Sequence, residues 1–223
     1  MRTTLLVLAL ALVACGGDDD GASVDATSAI DAPIADARPV LPLTTQAYCD
    51  TIQAPCTGSN AQYPSANQCL ATAAAFVLGS STDMTGDTLA CRIYHAQNAM
   101  ITGDTAVHCP HAGPAGEKID RSTGVCSASP CDAFCNLNVA VCGTDANAIV
   151  ANHYADKATC MTACAGFAKT PAYSAPAPSG NTMACRLYHL TNAALYKNGL
   201  PSDPALHNFH CGHTLATATG VCI

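Results

Sequence analysis

The sequence predicts a mainly α protein: two tandem disulfide-rich units of about three short helices each, following a disordered acidic linker. Three observations lead there. Residues 46–128 and 129–223 repeat one pattern of Cys and His, the chain carries 15 Cys, and Ala-rich stretches are common while period-two alternation is hard to find. Of the 223 residues 49% are apolar, yet there is no Trp and there are only four Phe and seven Tyr, so a large aromatic core cannot form. Covalent staples in an oxidising compartment would make up the difference. A formal charge of −7 argues against nucleic acid as a partner, since such proteins show a basic face.

Residues 1–14 read as a leader. Arg2 gives a positive start, and Leu5 to Val13 is wholly apolar. That run is too short to cross a hydrocarbon core of about 30 Å as a helix. It ends in Leu12-Val13-Ala14-Cys15, followed by Gly16-Gly17. The tetrapeptide resembles the lipobox of bacterial lipoproteins, a resemblance confined to residues 1–16. It implies cleavage before Cys15, fatty acylation (palmitate) of that cysteine, and a membrane partner engaged through the lipid anchor. Gly16, standing where Asp would mark inner-membrane retention, implies an outer-membrane lipoprotein of the cell envelope. An ordinary secretory signal peptide is the plainer alternative. Lipidating Cys15 would leave fourteen cysteines, enough for seven disulfides.

Residues 15–45 read as a disordered tether. Between 16 and 45 there are six Asp and one Arg, with Pro33, Pro39 and Pro42. Like charge, low hydrophobicity and Pro keep such a segment unfolded. Most of the chain's acidity therefore belongs to the tether and says little about a partner.

Residues 46–128 and 129–223 are the two repeats. Gly86 to Met100 and Gly180 to Ala194 share nine of fifteen residues. Downstream, His108-Cys109-Pro110-His111 matches His210-Cys211-Gly212-His213. Upstream, Cys49, Cys56 and Cys69 correspond to Cys135, Cys142 and Cys160, which leaves Cys131 and Cys164 over. Cys131/Cys135 and Cys160/Cys164 are each spaced i, i+4, on one helix face. Antiparallel helices would then join Cys131 to Cys164 and Cys135 to Cys160, and by alignment Cys49 to Cys69. Four cysteines remain per unit, with three possible connectivities. A third helix returning antiparallel favours Cys56–Cys109 and Cys91–Cys126, with Cys142–Cys211 and Cys185–Cys222. Asp87 and Asn181 stand where N-caps are expected, and Leu70 to Phe76 and Ile149 to Ala155 are Ala-rich helical runs. A Gly/Pro-rich tail would close each unit.

The duplicated polar residues are Arg92/Arg186, Tyr94/Tyr188, His95/His189, Asn98/Asn192, His108/His210 and His111/His213. A disulfide at Cys109 would draw its flanking imidazoles toward the helices. His95, His108 and His111, and likewise His189, His210 and His213, could then ligate Cu or Zn with one coordination position open. No carboxylate accompanies these His in both copies. Histidines beside a disulfide also simply bind backbone carbonyls, and the sequence favours that structural role, with no cofactor required. Cys-x-x-Cys, Gly-x-Ser-x-Gly and P-loop motifs are absent, and Glu117 is the only Glu. An enzyme is the least supported class. The favoured expectation is an exported, anchored, non-catalytic interaction module with an unknown protein or small-molecule partner. A metal-binding lipoprotein is the alternative.

Overall fold

Helix starts are written in hydroxyl and carboxylate side chains. In the computed structural model, which describes residues 38–118, 124–143, 153–199, 202–218 and 220–223, every α-helix follows a Ser, Thr or Asp that accepts an early backbone N–H. The first half has α1 (Thr45–Gln53), α2 (Ala66–Ala73), α3 (Leu89–Thr102) and α4 (Thr105–Ala112). The second has α5 (Pro130–Cys142), α6 (Lys157–Ala165), α7 (Met183–Asn198) and α8 (Pro204–Gly212). No strand is present among the described residues, only isolated bridges such as Val77 with Thr88 and Ala168 with Thr182. The protein is mainly helical and disulfide-rich.

The two halves are built alike. Helix α1 packs on α2 and α3, and α3 on α4; α5 packs on α6 and α7, and α7 on α8. Tyr48, Ile52, Leu89 and Ile93 form the first core, and Phe134, Leu137, Met183, Leu187 and Leu190 the second. Helix α2 lies against α7, where Gln68 Nε2 donates to Asn192 Oδ1 at 2.9 Å and Asn198 Nδ2 to the Ala71 carbonyl at 3.1 Å.

Cysteine supplies much of what these small cores lack. The bridges are Cys49–Cys69, Cys56–Cys109 and Cys91–Cys126 in the first half. The second half has Cys131–Cys164, Cys135–Cys160, Cys142–Cys211 and Cys185–Cys222. Thr45 and Ala73 hold the places of Cys131 and Cys164 in the first half, so the α1–α2 hairpin has one rung where α5–α6 has two.

Arginine is the other half of the core. Arg92 and Arg186 are 0% and 1% exposed, the largest fully buried side chains among the described residues. Each guanidinium lies over a phenyl ring, Arg92 at 4.0 Å from Phe76 and Arg186 at 3.9 Å from Phe167. Arg92 donates to the Gly113 and Thr88 carbonyls and pairs with Asp87 at 2.7 Å. Arg186 donates to the equivalent Leu215 and Thr182 carbonyls and to Cys222 O at 3.0 Å, which takes the place of the missing carboxylate.

Several expectations are corrected. The caps of α3 and α7 are Thr88 and Thr182, one residue beyond Asp87 and Asn181, because the hydroxyls reach the Cys91 and Cys185 amides at 3.1 Å. Asp87 is engaged with Arg92 instead. Each half has a fourth helix where a Gly/Pro-rich tail was expected: α4 runs through Pro110, and α8 ends on Gly212. The tether does not extend to residue 45 as a free segment. Gln97 Nε2 donates to the Pro39 carbonyl at 2.7 Å, and Leu41 and Leu43 pack against the first core. Of the Ala-rich run 149–155, residues 149–152 lie outside the described residues, and helix α6 starts only at Lys157. The leader 1–14, Cys15 and the tether through residue 37 also lie outside them.

Candidate functional site

The three duplicated histidine pairs come together as two clusters. His95 sits on α3 one turn after Cys91, whose disulfide to Cys126 fixes the helix start. His108 and His111 flank Cys109 on α4, which Cys56 ties down. The ligand nitrogens of His95, His108 and His111 all lie within 4.8 Å of one another, as do those of His189, His210 and His213. Each cluster is assembled from one half alone, α3 with α4 or α7 with α8 and its C-cap, His213.

Hydrogen bonding sets which nitrogen faces inward. His95 Nε2 lies 3.1 Å from the Met84 carbonyl, and His189 Nε2 lies 3.1 Å from the Pro178 carbonyl. A carbonyl only accepts, so Nε2 carries the proton and the neutral ring turns its Nδ1 lone pair into the cluster. His95 Nδ1 is 3.3 Å from His108 Nδ1. His189 Nδ1 is 2.9 Å from His210 Nδ1 and 3.3 Å from His213 Nδ1. The buried Nδ1 of His111 has no hydrogen-bond partner. Nitrogens about 2.0–2.1 Å from a tetrahedral metal stand about 3.3–3.4 Å apart, so these separations are close to those of ligated imidazoles. The backbone carbonyl on Nε2 is the kind of outer partner that orients a ligating His.

Electrostatics keeps the rings neutral. Burial, with His108 and Arg38 adding to it, pushes His95 down to about 4 despite the Met84 carbonyl. Burial and neighbouring imidazoles bring His111 and His210 down to about 4 as well. Burial lowers His108, His189 and His213 in the same direction. Neutral imidazole is the form that ligates.

Three other groupings bring His near sulfur: Cys91/Cys126 with His95, Cys185/Cys222 with His189, and Cys142/Cys211 with His207. Their sulfurs are all in disulfides and offer no thiolate. The unmatched histidines bind backbone: His207 Nε2 the Val141 carbonyl at 3.0 Å, and His153 Nδ1 the Tyr154 carbonyl at 3.1 Å. Sequence reasoning missed the Met84 and Pro178 carbonyls. Those two equivalent positions carry different residue types, and no side-chain pattern marks them.

A family likeness falls on the first half. The BfoA family C-terminal domain model matches residues 27–128, a span that includes α1 to α4 and the first triad. Over 69 residues the chain is 42% identical to Aurasperone B biosynthesis cluster protein A of Aspergillus niger, covering 30% of this chain and 22% of that protein. It is 41% identical over 71 residues to Bifonsecin B biosynthesis cluster protein A of Aspergillus brasiliensis, covering 30% of this chain and 23% of the relative. The chain thus spans less than a quarter of the length of these relatives. No solved structure matches.

These likenesses correct the expectation of a bacterial lipoprotein. The relatives are fungal cluster proteins, and a match running from residue 27 to 128 outweighs Leu12-Val13-Ala14-Cys15. Small and apolar residues are what many short leaders end in, so four positions have little discriminating power. Lipid anchoring at Cys15 and the membrane-anchored interaction module are withdrawn with it. No helix among the described residues is long and apolar enough to cross a membrane.

Proposed function

We propose that the protein binds two Cu or Zn ions in an oxidising compartment, one in each trihistidine cluster. The observation that carries this is the inward turn of Nδ1 from His95 and from His189, each imposed by a backbone carbonyl on Nε2. A purely structural histidine needs that carbonyl alone. It does not need two more neutral imidazoles converging on its lone pair. Three nitrogen ligands per ion leave a fourth position for water or a substrate, as in catalytic rather than closed structural sites. The relatives' names, which tie them to biosynthesis clusters, support a role in handling a small molecule at that position. Seven disulfides support the oxidising compartment.

The test is metal content after exhaustive dialysis of protein from an oxidising host. About two ions per chain are expected, about one in His95→Ala or His189→Ala, and none in the double variant. A metal-free wild-type protein, with stability unaffected by chelator, defeats the proposal.

A further inference from the structure

Each trihistidine cluster is built directly against a disulfide. The sulfurs of Cys91 and Cys126 and a ring nitrogen of His95 lie within 4.8 Å of one another, and so do those of Cys185, Cys222 and His189. Cys91 and His95, like Cys185 and His189, are four residues apart on one helix. The crosslink and the ligand histidine therefore rise from the same side of α3 and of α7. His207 with Cys142 and Cys211 makes a third such grouping. Thr105 holds the place of His207 in the first half, and that bridge joins two helices.

The two duplicated bridges are held differently. Cys91 and Cys185 stand in the first turns of α3 and α7, where the helix dipole favours negative charge. Cys126 and Cys222 stand in irregular segments. Opening either bridge therefore releases no second helix. The irregular segment is also tied beside the helix by its backbone: Gly86 N donates to the Val125 carbonyl and Gly180 N to the Val221 carbonyl, both at 3.0 Å. The Cys222 carbonyl further accepts from Arg186 Nη2 at 3.0 Å. Two thiols formed here would stay facing each other and the histidine. All four cysteines are 0% exposed, so a reductant reaches them only when the irregular segment opens for a moment.

We propose that reduction of Cys91–Cys126 and Cys185–Cys222 turns each bridge into a metal site of two thiolates and one imidazole, completed by His95 and His189, for a thiophilic ion such as Zn²⁺ or Cu⁺. A dithiol supplies the two electrons and two protons: it leaves as its cyclic disulfide, and the bridge becomes two cysteine thiols. The incoming ion displaces both thiol protons to solvent. Thiolates about 2.3 Å from a tetrahedral ion stand about 3.8 Å apart, a separation that rotation about the Cα–Cβ bonds provides without moving the helix. Soft sulfur donors replace neutral nitrogens, so thiol state selects the donor set offered to the ion. The proposal borrows one histidine from each trihistidine centre and needs no other, so the two readings stand or fall separately.

The experiment uses Co²⁺ as the probe on the full chain. The oxidised protein is expected to show no thiolate-to-Co²⁺ charge-transfer band. Graded treatment with dithiothreitol, removed anaerobically before Co²⁺ is added, is expected to free Cys91, Cys126, Cys185 and Cys222 while circular dichroism stays native. The band then appears. Zn²⁺ displaces the Co²⁺ and is held at least about tenfold more tightly than by the oxidised chain, because two full charges now face the ion. Cys126→Ser frees Cys91 with no reductant and should give the band, which His95→Ala then removes; Cys222→Ser with His189→Ala repeats this in the second half. No sulfur band once those four thiols are free, a band that survives loss of both histidines, or bridges that stay closed until the fold melts would each overturn the proposal. An oxidised chain that binds no Co²⁺, with the sulfur band present after reduction, would overturn the trihistidine reading alone.

Discussion

At the scale of single residues, Arg92 and Arg186 do the work of bulky core side chains. Each covers a phenyl ring with its planar face and satisfies carbonyls with its edge. Arg186→Met leaves the Leu215, Thr182 and Cys222 carbonyls short of donors, and we expect it to cost about 3 kcal/mol or more in chemical denaturation. Lys cannot fork across three carbonyls, so Arg186→Lys recovers little of that loss. Asp87→Asn should cost about 1 kcal/mol or less, because the Asp87 side chain is 20% exposed and the second half folds with Asn181 in its place. A loss for Asp87→Asn as large as that for Arg92→Met would show that the ion pair, and not the guanidinium's stacking and carbonyl bonds, holds the first half.

The histidines set a pH window. Well above pH 6.5 the clustered histidines are neutral in both folded and unfolded chains and contribute no dependence. Below it the unfolded chain takes up protons that His95, His111 and His210 refuse until about pH 4. Stability in chelator should therefore fall as pH drops from about 7 to 4 and level off toward about pH 8. Thermal unfolding across that range checks it, and a melting temperature that rises on acidification would contradict it.

At the scale of elements, the disulfide ladder separates loop closure from redundancy. Cys135–Cys160 already closes the α5–α6 hairpin one turn from Cys131–Cys164. Removing the outer rung with Cys131→Ala and Cys164→Ala should cost about 1 kcal/mol or less. Removing Cys142–Cys211, which spans 69 residues and ties α8 to α5, should cost about 3–4 kcal/mol. Equal losses in reversible denaturant melts would contradict this picture. Helices α5 and α6 were legible in their i, i+4 cysteines, α1 and α2 by alignment with them, and α2 also in part through the Ala-rich run from Leu70. Helices α4 and α8 were not, because Pro110 and Gly212 are poor helix formers and hid the short turns that Cys56 and Cys142 hold in place. The caps of α3 and α7 were legible to within one residue. Asp and Thr compete for that role, and only the buried Arg92 decides that Asp87 is needed elsewhere.

At the scale of the whole molecule, duplication is what made the site legible. Six of the eight histidines fall in equivalent positions, and the structure gathers those six into two clusters while His153 and His207 bind backbone carbonyls. The orientation of each ring lay beyond the sequence, because it depends on the Met84 and Pro178 carbonyls, which any residue could supply. The leader misled for the opposite reason. A four-residue motif can suggest a lipid anchor, but it is too short to outweigh likeness spread over residues 27–128. X-ray absorption at the metal edge of the loaded protein tests the central claim most directly. A first shell of imidazole nitrogens at about 2.0 Å, three per ion, is the result expected from the two clusters. A sulfur shell at about 2.3 Å, or one built from oxygen alone, would contradict them.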